Sequence, residues 1–322
     1  MWQCAWPAIR GWLLCVLMLP VSMTAAAAGH SGEVCEPSRW GADDEIGSAN
    51  LITPESVLAA SRLIKTGKTY SLGIVVDHTT PAFGTRSLSL QVVQPGQTEG
   101  ARPLGRSTYN DDVFQGWFGI GPQIDGLGHL GDDGMYYNCN HARDFAQISG
   151  LTKLGIEKVP PIVARGVVLD IAGHYGVDHL EGGQTYNVAD IKAVARQQNT
   201  PIREGDVVLL HTGWTDAKLA SEPDTWVRTA PGQSEEVARY LAGLNVVAVG
   251  SDTWGLDVVP AEDPDKGFIG HVIYLKENGI YILETMNTGP LVRDGAFEFL
   301  FVLGQAKVRG AVQMIINPIA IR

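Results

Sequence analysis

The stretch "GDVVLLHTGW", residues 205–214, decides the fold class. Its apolar run "VVLL" shows no alternation with polar residues, which indicates a strand that is covered on both faces, as in a parallel sheet. The stretch "NVVAVGSDTW" at 245–254 repeats this pattern. Helical patterns at 188–198 and 234–244, the second starting at a Ser cap followed by two acidic residues, separate these strands from their neighbours. The sequence therefore predicts an α/β fold with buried strands.

Further strands and one more helix extend this pattern in both directions. A helix is predicted over 53–67, because Thr53 can cap it and Pro54 fits its first turn. No linker-like segment interrupts the chain, so one continuous domain is predicted over residues 29–322. The remaining predicted strands cover residues 69–77 and 167–171 and the strand-rich stretches 271–285 and 297–303.

The N-terminus has the pattern of a secretory signal peptide. Arg10 precedes a short apolar run that Pro20 interrupts, and small residues follow in "TAAAAGHSG". This order is typical of a cleaved signal over residues 1–28, and the run is short for a membrane-spanning helix. An uncleaved signal anchor is the alternative. We expect a periplasmic or secreted protein that is not inserted in the membrane once the signal is removed.

Two cysteines remain outside the predicted signal peptide, Cys35 and Cys139. An oxidising compartment would allow a disulfide between them, which would tie the N-terminal segment to the middle of the chain. Two unpaired thiols are the alternative, and the sequence leaves both open.

Charge and missing motifs exclude several classes of function. The net charge is −11 without a compensating cluster of Lys and Arg, so nucleic acid and anionic membrane surfaces are not expected partners. The chain has no phosphate-binding loop, no dinucleotide-binding glycine motif, no G-x-S-x-G nucleophile elbow and no H-E-x-x-H zinc motif.

The stretch "QIDGLGHLGDDGMYYN", residues 123–138, contains the first candidate ligands, Asp125 and His129. A carboxylate oxygen and an imidazole nitrogen suit a divalent ion such as zinc or manganese. The surrounding glycines would let the backbone fold tightly around an ion or a substrate. A polar turn explains the same pattern equally well, so this stretch needs distant partners to become a metal site.

Two other regions add candidates. In "GHVIYLKENGIYILE", residues 270–284, a turn at "KENG" would bring His271 near Glu284 if the flanking segments pair as strands. Two solvated strand ends are the alternative. Parallel strands bind ligands at their carboxyl ends, where a crevice would be lined by His211, Trp214, Asp252 and Trp254. Ordinary loops whose tryptophans pack the edge of the core are the alternative.

The chain resembles the cyclase family that includes bacterial kynurenine formamidase and isatin hydrolase. The resemblance covers residues 39–322 and is carried, in the family's order, by "RWGADDEIGSANLITPESV", "QIDGLGHLG…YYN", "RGVVLDIAG", "REGDVVLLHTGW", "VGSDTW", "HVIYLKENGIYILET" and "FEFLFVLGQAKVRGA". It implies a swivelling β/β/α fold, metal-dependent hydrolysis and a homo-oligomer, specifically a dimer.

The resemblance also implies a ligand set. Family members bind zinc or manganese through H-x-G-T-H-x-D and a later His and Glu; Asp125 stands at the first His, His129 at the second, and His271 and Glu284 match the later pair. Gly131 replaces the third ligand, with Asp132 one residue further on as a weaker candidate, which favours one ion over two. His141 is the nearest counterpart of a catalytic His in some members.

The expected reaction is hydrolysis of a small amide, formamide or lactone. A metal-activated water would attack the carbonyl, with Glu284 as a candidate base. Trp117, Trp214 and Trp254 could form flat walls for an aromatic substrate. Two alternatives stay open: a secreted binding protein on the same fold without catalysis, and a cyclase or dehydratase of a small carbonyl compound.

Overall fold

The computed structural model describes residues 35–93 and 109–322, so the predicted signal peptide lies outside the described residues. The described part of Cys35–Arg322 forms one compact unit. Its strands, in chain order, are β1 (Thr69–Ser71), β2 (Leu88–Val93), β3 (Asp111–Gly116), β4 (Gln123–Asp125), β5 (Met135–Tyr136), β6 (Asn140–His141), β7 (Ala146–Gln147), β8 (Gly150–Leu151), β9 (Ile162–Asp170), β10 (Thr185–Tyr186), β11 (Val207–His211), β12 (Gly232–Gln233), β13 (Ala248–Ser251), β14 (Tyr281–Glu284), β15 (Glu298–Leu303), β16 (Gln313–Ile315) and β17 (Ile319–Ile321).

A mixed, curled sheet forms the framework. Among the described residues, nine strands join in the order β1-β17-β15-β9-β11-β13-β14-β4-β16. The central strands β9, β11, β13 and β14 run parallel, and antiparallel strands flank them on both sides. Every residue of β11 and β13 is buried, which confirms the prediction of strands covered on both faces.

Short helices connect and cover the sheet. No helix among the described residues is both long and apolar enough to span a membrane. The helices are α1 (Pro54–Ser61), α2 (Ala142–Phe145), α3 (Ile171–Tyr175), α4 (Val188–Gln197), α5 (Trp214–Lys218), α6 (Pro223–Arg228), α7 (Glu235–Gly243), α8 (Ile269–His271), which continues as the π-helical segment Val272–Glu277, and α9 (Gly289–Arg293).

The predicted helices form, with differences at their ends. The Thr53 hydroxyl accepts a hydrogen bond from the Ser56 amide at 3.1 Å and caps α1, which ends at Ser61, before the predicted end at Gly67. Ser234 is the N-cap residue of α7 and two acidic residues follow it, as predicted, but the Ser234 side chain makes no capping hydrogen bond. Its hydroxyl is buried without a hydrogen-bond partner among the described residues.

The strand predicted at the start of 271–285 was wrong. This segment is helical, as α8 and the following π-helical turn, and only β14 is a strand. Ile273, Tyr274 and Leu275 are all buried against the core. A short apolar run without alternation fits a buried helix as well as a buried strand, and tertiary packing decides between them. The strand predicted over 69–77 is also shorter, because regular pairing ends at Ser71.

A disulfide joins Cys35 to Cys139, with the two Cα atoms 5.7 Å apart. The neighbouring Asn138 amide donates hydrogen bonds to the carbonyl oxygens of Gly41, Ala42 and Asp44. The N-terminal part of the described chain is therefore held, covalently and by hydrogen bonds, to the loop that follows the Asp125 region.

Candidate metal centre

Three adjacent strands bring four polar side chains to one face of the sheet. Gln123 and Asp125 lie two residues apart on β4, so their side chains point to the same face. In register, Glu284 of β14 lies opposite Gln123, and Gln313 of β16 lies opposite Asp125. Residues directly opposite on paired antiparallel strands have Cβ atoms ~5 Å apart. Strand pairing alone therefore assembles this polar group within the core.

The two oxygens of the Asp125 carboxylate have different surroundings. Oδ1 accepts hydrogen bonds from the side-chain amides of Gln313 at 2.7 Å and Gln123 at 3.1 Å. Oδ2 is buried and has no hydrogen-bond partner among the described residues. It lies 3.7 Å from His271 Nε2 and 4.0 Å from His129 Nε2. A buried carboxylate oxygen without a partner is costly unless a cation occupies the space that it faces.

His271 is held from both sides. Its Nδ1 lies 2.9 Å from Asp257 Oδ2, and its Nε2 lies 3.2 Å from Glu284 Oε1. The Gln123 amide donates to the other Glu284 oxygen, Oε2, at 2.7 Å. A carboxylate on the far ring nitrogen is the arrangement that orients metal-binding histidines, because it leaves the Nε2 lone pair facing the ion.

The ionisation of these groups is shifted by burial and by mutual contacts. Burial and the negative charge of Asp125 raise the pKa of Glu284 to about 7. Burial alone would lower the pKa of His271, but its hydrogen bonds to Asp257 and Glu284 outweigh that effect and raise the pKa to about 10. In the metal-free protein, protons bound to His271 and Glu284 therefore offset the negative charge of the buried carboxylates.

The donor set fits one divalent ion. Asp125, His271 and Glu284 are all buried, and one ligand atom from each lies within 4.8 Å of the others. Two carboxylate oxygens and one imidazole nitrogen suit zinc or manganese. Asp125 Oδ2 supplies an independent sign, because this buried oxygen accepts no hydrogen bond among the described residues.

His129 lies beside this trio. Its Nε2 is 3.3 Å from the Gln313 amide nitrogen, its side chain is 19% exposed, and burial lowers its pKa below the usual value. A neutral imidazole that faces Asp125 Oδ2 can act as a fourth donor or as a proton acceptor.

The weaker ligand candidate, Asp132, and the weaker catalytic candidate, His141, form other contacts. Asp132 is exposed and pairs with Lys276 at 3.4 Å. A Cβ at Gly131 would lie 2.3 Å from the Met135 carbonyl oxygen, so this position is closed against the β5–β6 hairpin. His141 caps α2 by accepting a hydrogen bond from the Arg143 amide.

An aromatic cavity opens beside the trio. It measures about 190 Å³ and is lined by Phe83, Arg86, His129, Leu130, Trp254, Phe268, His271 and Glu284. Phe83 stacks on Trp254 with ring centroids 5.3 Å apart, and Phe268 meets His271 edge to face at 5.3 Å. An apolar cavity of ~150 Å³ can bind benzene, so this one has room for a single aromatic ring.

The other predicted substrate residues are not part of this cavity. Trp117 is half-exposed, and Trp214 is buried, with its indole donating to the Trp226 carbonyl at 3.3 Å. His211 lines a separate cavity of about 570 Å³ at the carboxyl ends of the parallel strands. Its Nδ1 lies 2.8 Å from Thr288 Oγ1 and 3.7 Å from Asp252 Oδ2. Of the predicted set, only Trp254 lines the aromatic cavity.

Several residues of the site were not predicted from the sequence. Gln123 shares the strand face of Asp125, and the two-residue spacing is a signal that could have identified it. No local pattern marks Asp257, Gln313 or Arg86, because only the folded chain places them at the site.

Comparison with known proteins agrees with this architecture. The family model described as "Putative cyclase" matches residues 70–258. A solved structure described as a novel cyclase is 30% identical, with a TM-score of 0.80 over 88% of this chain and 96% of the other. Isatin hydrolase A from Labrenzia aggregata, bound to benzyl benzoate, is 17% identical, with a TM-score of 0.59 over 81% of this chain and 94% of its own. A structure described as a potential metal-dependent hydrolase with cyclase activity is 15% identical, with a TM-score of 0.51 over 79% of this chain and 98% of its own. No curated protein matches the sequence. The chain belongs to the cyclase family.

Proposed function

We propose that the protein is a metal-dependent hydrolase of a small amide, formamide or lactone. The observation that carries this proposal is the buried trio Asp125, His271 and Glu284, in which Asp125 Oδ2 accepts no hydrogen bond among the described residues. Structural neighbours that are named as an isatin hydrolase and as a potential metal-dependent hydrolase support it.

The proposed cofactor is one zinc or manganese ion. Asp125, His271 and Glu284 would hold it, with His129 as a fourth donor. When bound, such an ion lowers the pKa of a water molecule towards neutrality and polarises a carbonyl group. Asp257 supports this role, because its bond to Nδ1 fixes the orientation of the His271 ring.

The protein's own residues would supply proton transfer and substrate positioning. Glu284 is the candidate base, because a carboxylate next to a cation can both ligate the ion and relay a proton. Gln123 holds one oxygen of Glu284 and leaves the other facing His271. The rings of Trp254 and Phe268 give the cavity flat apolar walls that would exclude water from a bound aromatic substrate.

Two alternatives from the sequence remain distinct predictions. A binding protein without catalysis would rest on Gly131, which replaces a ligand of the family motif. A cyclase or dehydratase would use the same ion on a small carbonyl compound without net hydrolysis.

The experiment is a turnover screen with defined metal content. Purified protein is loaded with Zn²⁺ or Mn²⁺ and assayed with formanilides, cyclic amides and lactones, alongside Asp125→Asn and, as a control, Asp224→Asn in the exposed first turn of α6. We expect metal-dependent hydrolysis that Asp125→Asn abolishes and Asp224→Asn retains. Tight binding without turnover would favour the binding protein, and product that has lost water would favour the dehydratase.

A periplasmic or secreted location is also proposed. The Cys35–Cys139 disulfide supports it, since such bonds persist mainly in oxidising compartments. The expected homo-oligomer stays a prediction.

A further inference from the structure

The aromatic cavity contains one permanently charged cation, Arg86. Among the described residues, the only hydrogen bond of its side chain runs from Nη1 to the Gly119 carbonyl oxygen at 2.8 Å, and it forms no ion pair. A guanidinium has five N–H donors in a planar fork, so most of its donor capacity is unused by these residues. The protein has a net charge of −11, so an arginine that lines a cavity without an ion pair to any described residue is unexpected.

The position of Arg86 relates it directly to the candidate metal centre. The Arg86 guanidinium and the Gln313 side-chain amide lie on the same side of Gly119. A Cβ built on Gly119 would be 2.6 Å from Arg86 Nη1 and 2.7 Å from Gln313 Oε1. The nitrogen of the same Gln313 amide holds Asp125 Oδ1 at 2.7 Å. Arg86 is thus separated from a candidate metal ligand by a single side chain.

The cavity walls restrict what can reach Arg86. The Arg86 guanidinium carbon lies 5.9 Å from the centre of the Phe83 ring, which stacks on Trp254. A ligand that lies between the trio and Arg86 therefore passes along aromatic faces. The volume of about 190 Å³ limits it to one ring with small substituents.

We propose that Arg86 selects aromatic substrates that carry a carboxylate on the ring, ortho to the group that contains the scissile carbonyl. A planar guanidinium matches a carboxylate through two parallel hydrogen bonds, which a neutral amide cannot reproduce. Arg86 is then a specificity-determining residue. The inference rests on the proposed function, because the scissile group is defined by the trio.

Binding to chelator-treated protein tests the anion site without any turnover. The probes are 2-formamidobenzoate and its neutral analogue 2-formamidobenzamide, and calorimetry gives the affinity of each. The variants are Arg86→Gln and Arg86→Lys, with Arg196→Gln at the exposed end of α4 as the control.

Wild type should bind the benzoate more tightly than the benzamide. Arg86→Gln should weaken benzoate binding roughly 10- to 100-fold and leave benzamide binding within about twofold, as expected for loss of a charge-assisted contact. Arg86→Lys should restore part of the preference, and Arg196→Gln should bind like wild type. Failure of wild type to bind the benzoate, equal affinity for both probes, or a preference that survives Arg86→Gln would overturn the proposal.

Hydrolysis of the same probes by the metal-loaded protein separates this proposal from the proposed function. A benzoate preference in binding without turnover would uphold the anion site and contradict the hydrolase. Turnover of both probes that falls equally in Arg86→Gln would uphold the hydrolase and contradict selection of the carboxylate, because Arg86 would then act on a group common to both.

Discussion

Asp125 is the candidate ligand whose buried carboxylate most needs a cation, because its Oδ2 accepts no hydrogen bond among the described residues. The substitution Asp125→Asn keeps the shape of the side chain and the oxygen that accepts from Gln313, but it removes the charge that raises the pKa of Glu284. We expect metal affinity to fall by more than the ~10- to 100-fold typical of losing an outer-shell partner. Metal-free protein should stay folded, since relief of the repulsion between Asp125 and Glu284 offsets the lost attraction between Asp125 and His271. Calorimetric titration with Zn²⁺ and thermal unfolding in chelator measure both effects, and unchanged affinity would exclude Asp125 as a ligand.

The pH dependence of metal uptake follows from His271 and Glu284. An ion can bind only after both groups lose their protons, and their pKa values without metal are about 10 and about 7. Between these values, binding should release one proton, from His271. Below the lower value, Glu284 contributes a second proton, so the apparent affinity should fall more steeply as the pH decreases. Calorimetry in buffers of different ionisation enthalpy counts the released protons, and an affinity that is independent of pH would contradict the assignment.

Among secondary-structure elements, the hairpin after β4 leaves no room for a side chain at Gly131, the position at which the family resemblance implies a third ligand. Asp132 and Met135 exchange backbone hydrogen bonds at 2.8 and 2.9 Å, and a Cβ at Gly131 would lie 2.3 Å from the Met135 carbonyl oxygen. Gly131→Asp should therefore destabilise the protein by about 1–3 kcal/mol, as overpacking does, instead of creating a second ion site. Urea unfolding and metal stoichiometry check this, with Gly131→Ala to separate the steric effect from the charge. Two ions per chain in a stable Gly131→Asp protein would show that the expectation is wrong.

The elements also show what sequence patterns can and cannot predict. The strands β11 and β13 were predictable, because their short, Val-rich apolar runs each follow an amphipathic helix and end near a glycine, which favours a covered strand. The segment that follows His271 was not, since its apolar run suits either structure and its packing against the sheet decides. His271 nevertheless reaches Glu284, from a helix end and not from a paired strand.

For the molecule as a whole, the disulfide closes a large part of the chain into a loop. Cys35 and Cys139 are separated by 104 positions, and cross-linking a loop of ~100 residues removes about 4.7 kcal/mol of unfolded-state entropy in the loop-closure model. The double variant Cys35→Ser/Cys139→Ser should be less stable by a comparable amount, with Asn138 still holding the N-terminal segment by hydrogen bonds. Urea unfolding of oxidised wild type, reduced wild type and the variant measures the difference. Equal stability of all three would contradict a stabilising role.

The overall architecture was predictable because it depends on strand pattern and on an ordered series of family-like blocks along the chain. The trio was predictable in part, because its members lie in those blocks. Arg86, Gln313 and Asp257 were not, since each reaches the site through contacts between segments far apart in sequence. Contacts between distant segments produce no local spacing in the sequence from which these residues could be predicted.

The most direct test of the metal centre is anomalous diffraction from crystals of metal-loaded protein, recorded at the zinc and manganese absorption edges. The account predicts one anomalous peak per chain, about 2.0–2.4 Å from Asp125 Oδ2, His271 Nε2 and a Glu284 oxygen. Absence of a peak after loading, or a peak away from these three residues, would contradict it.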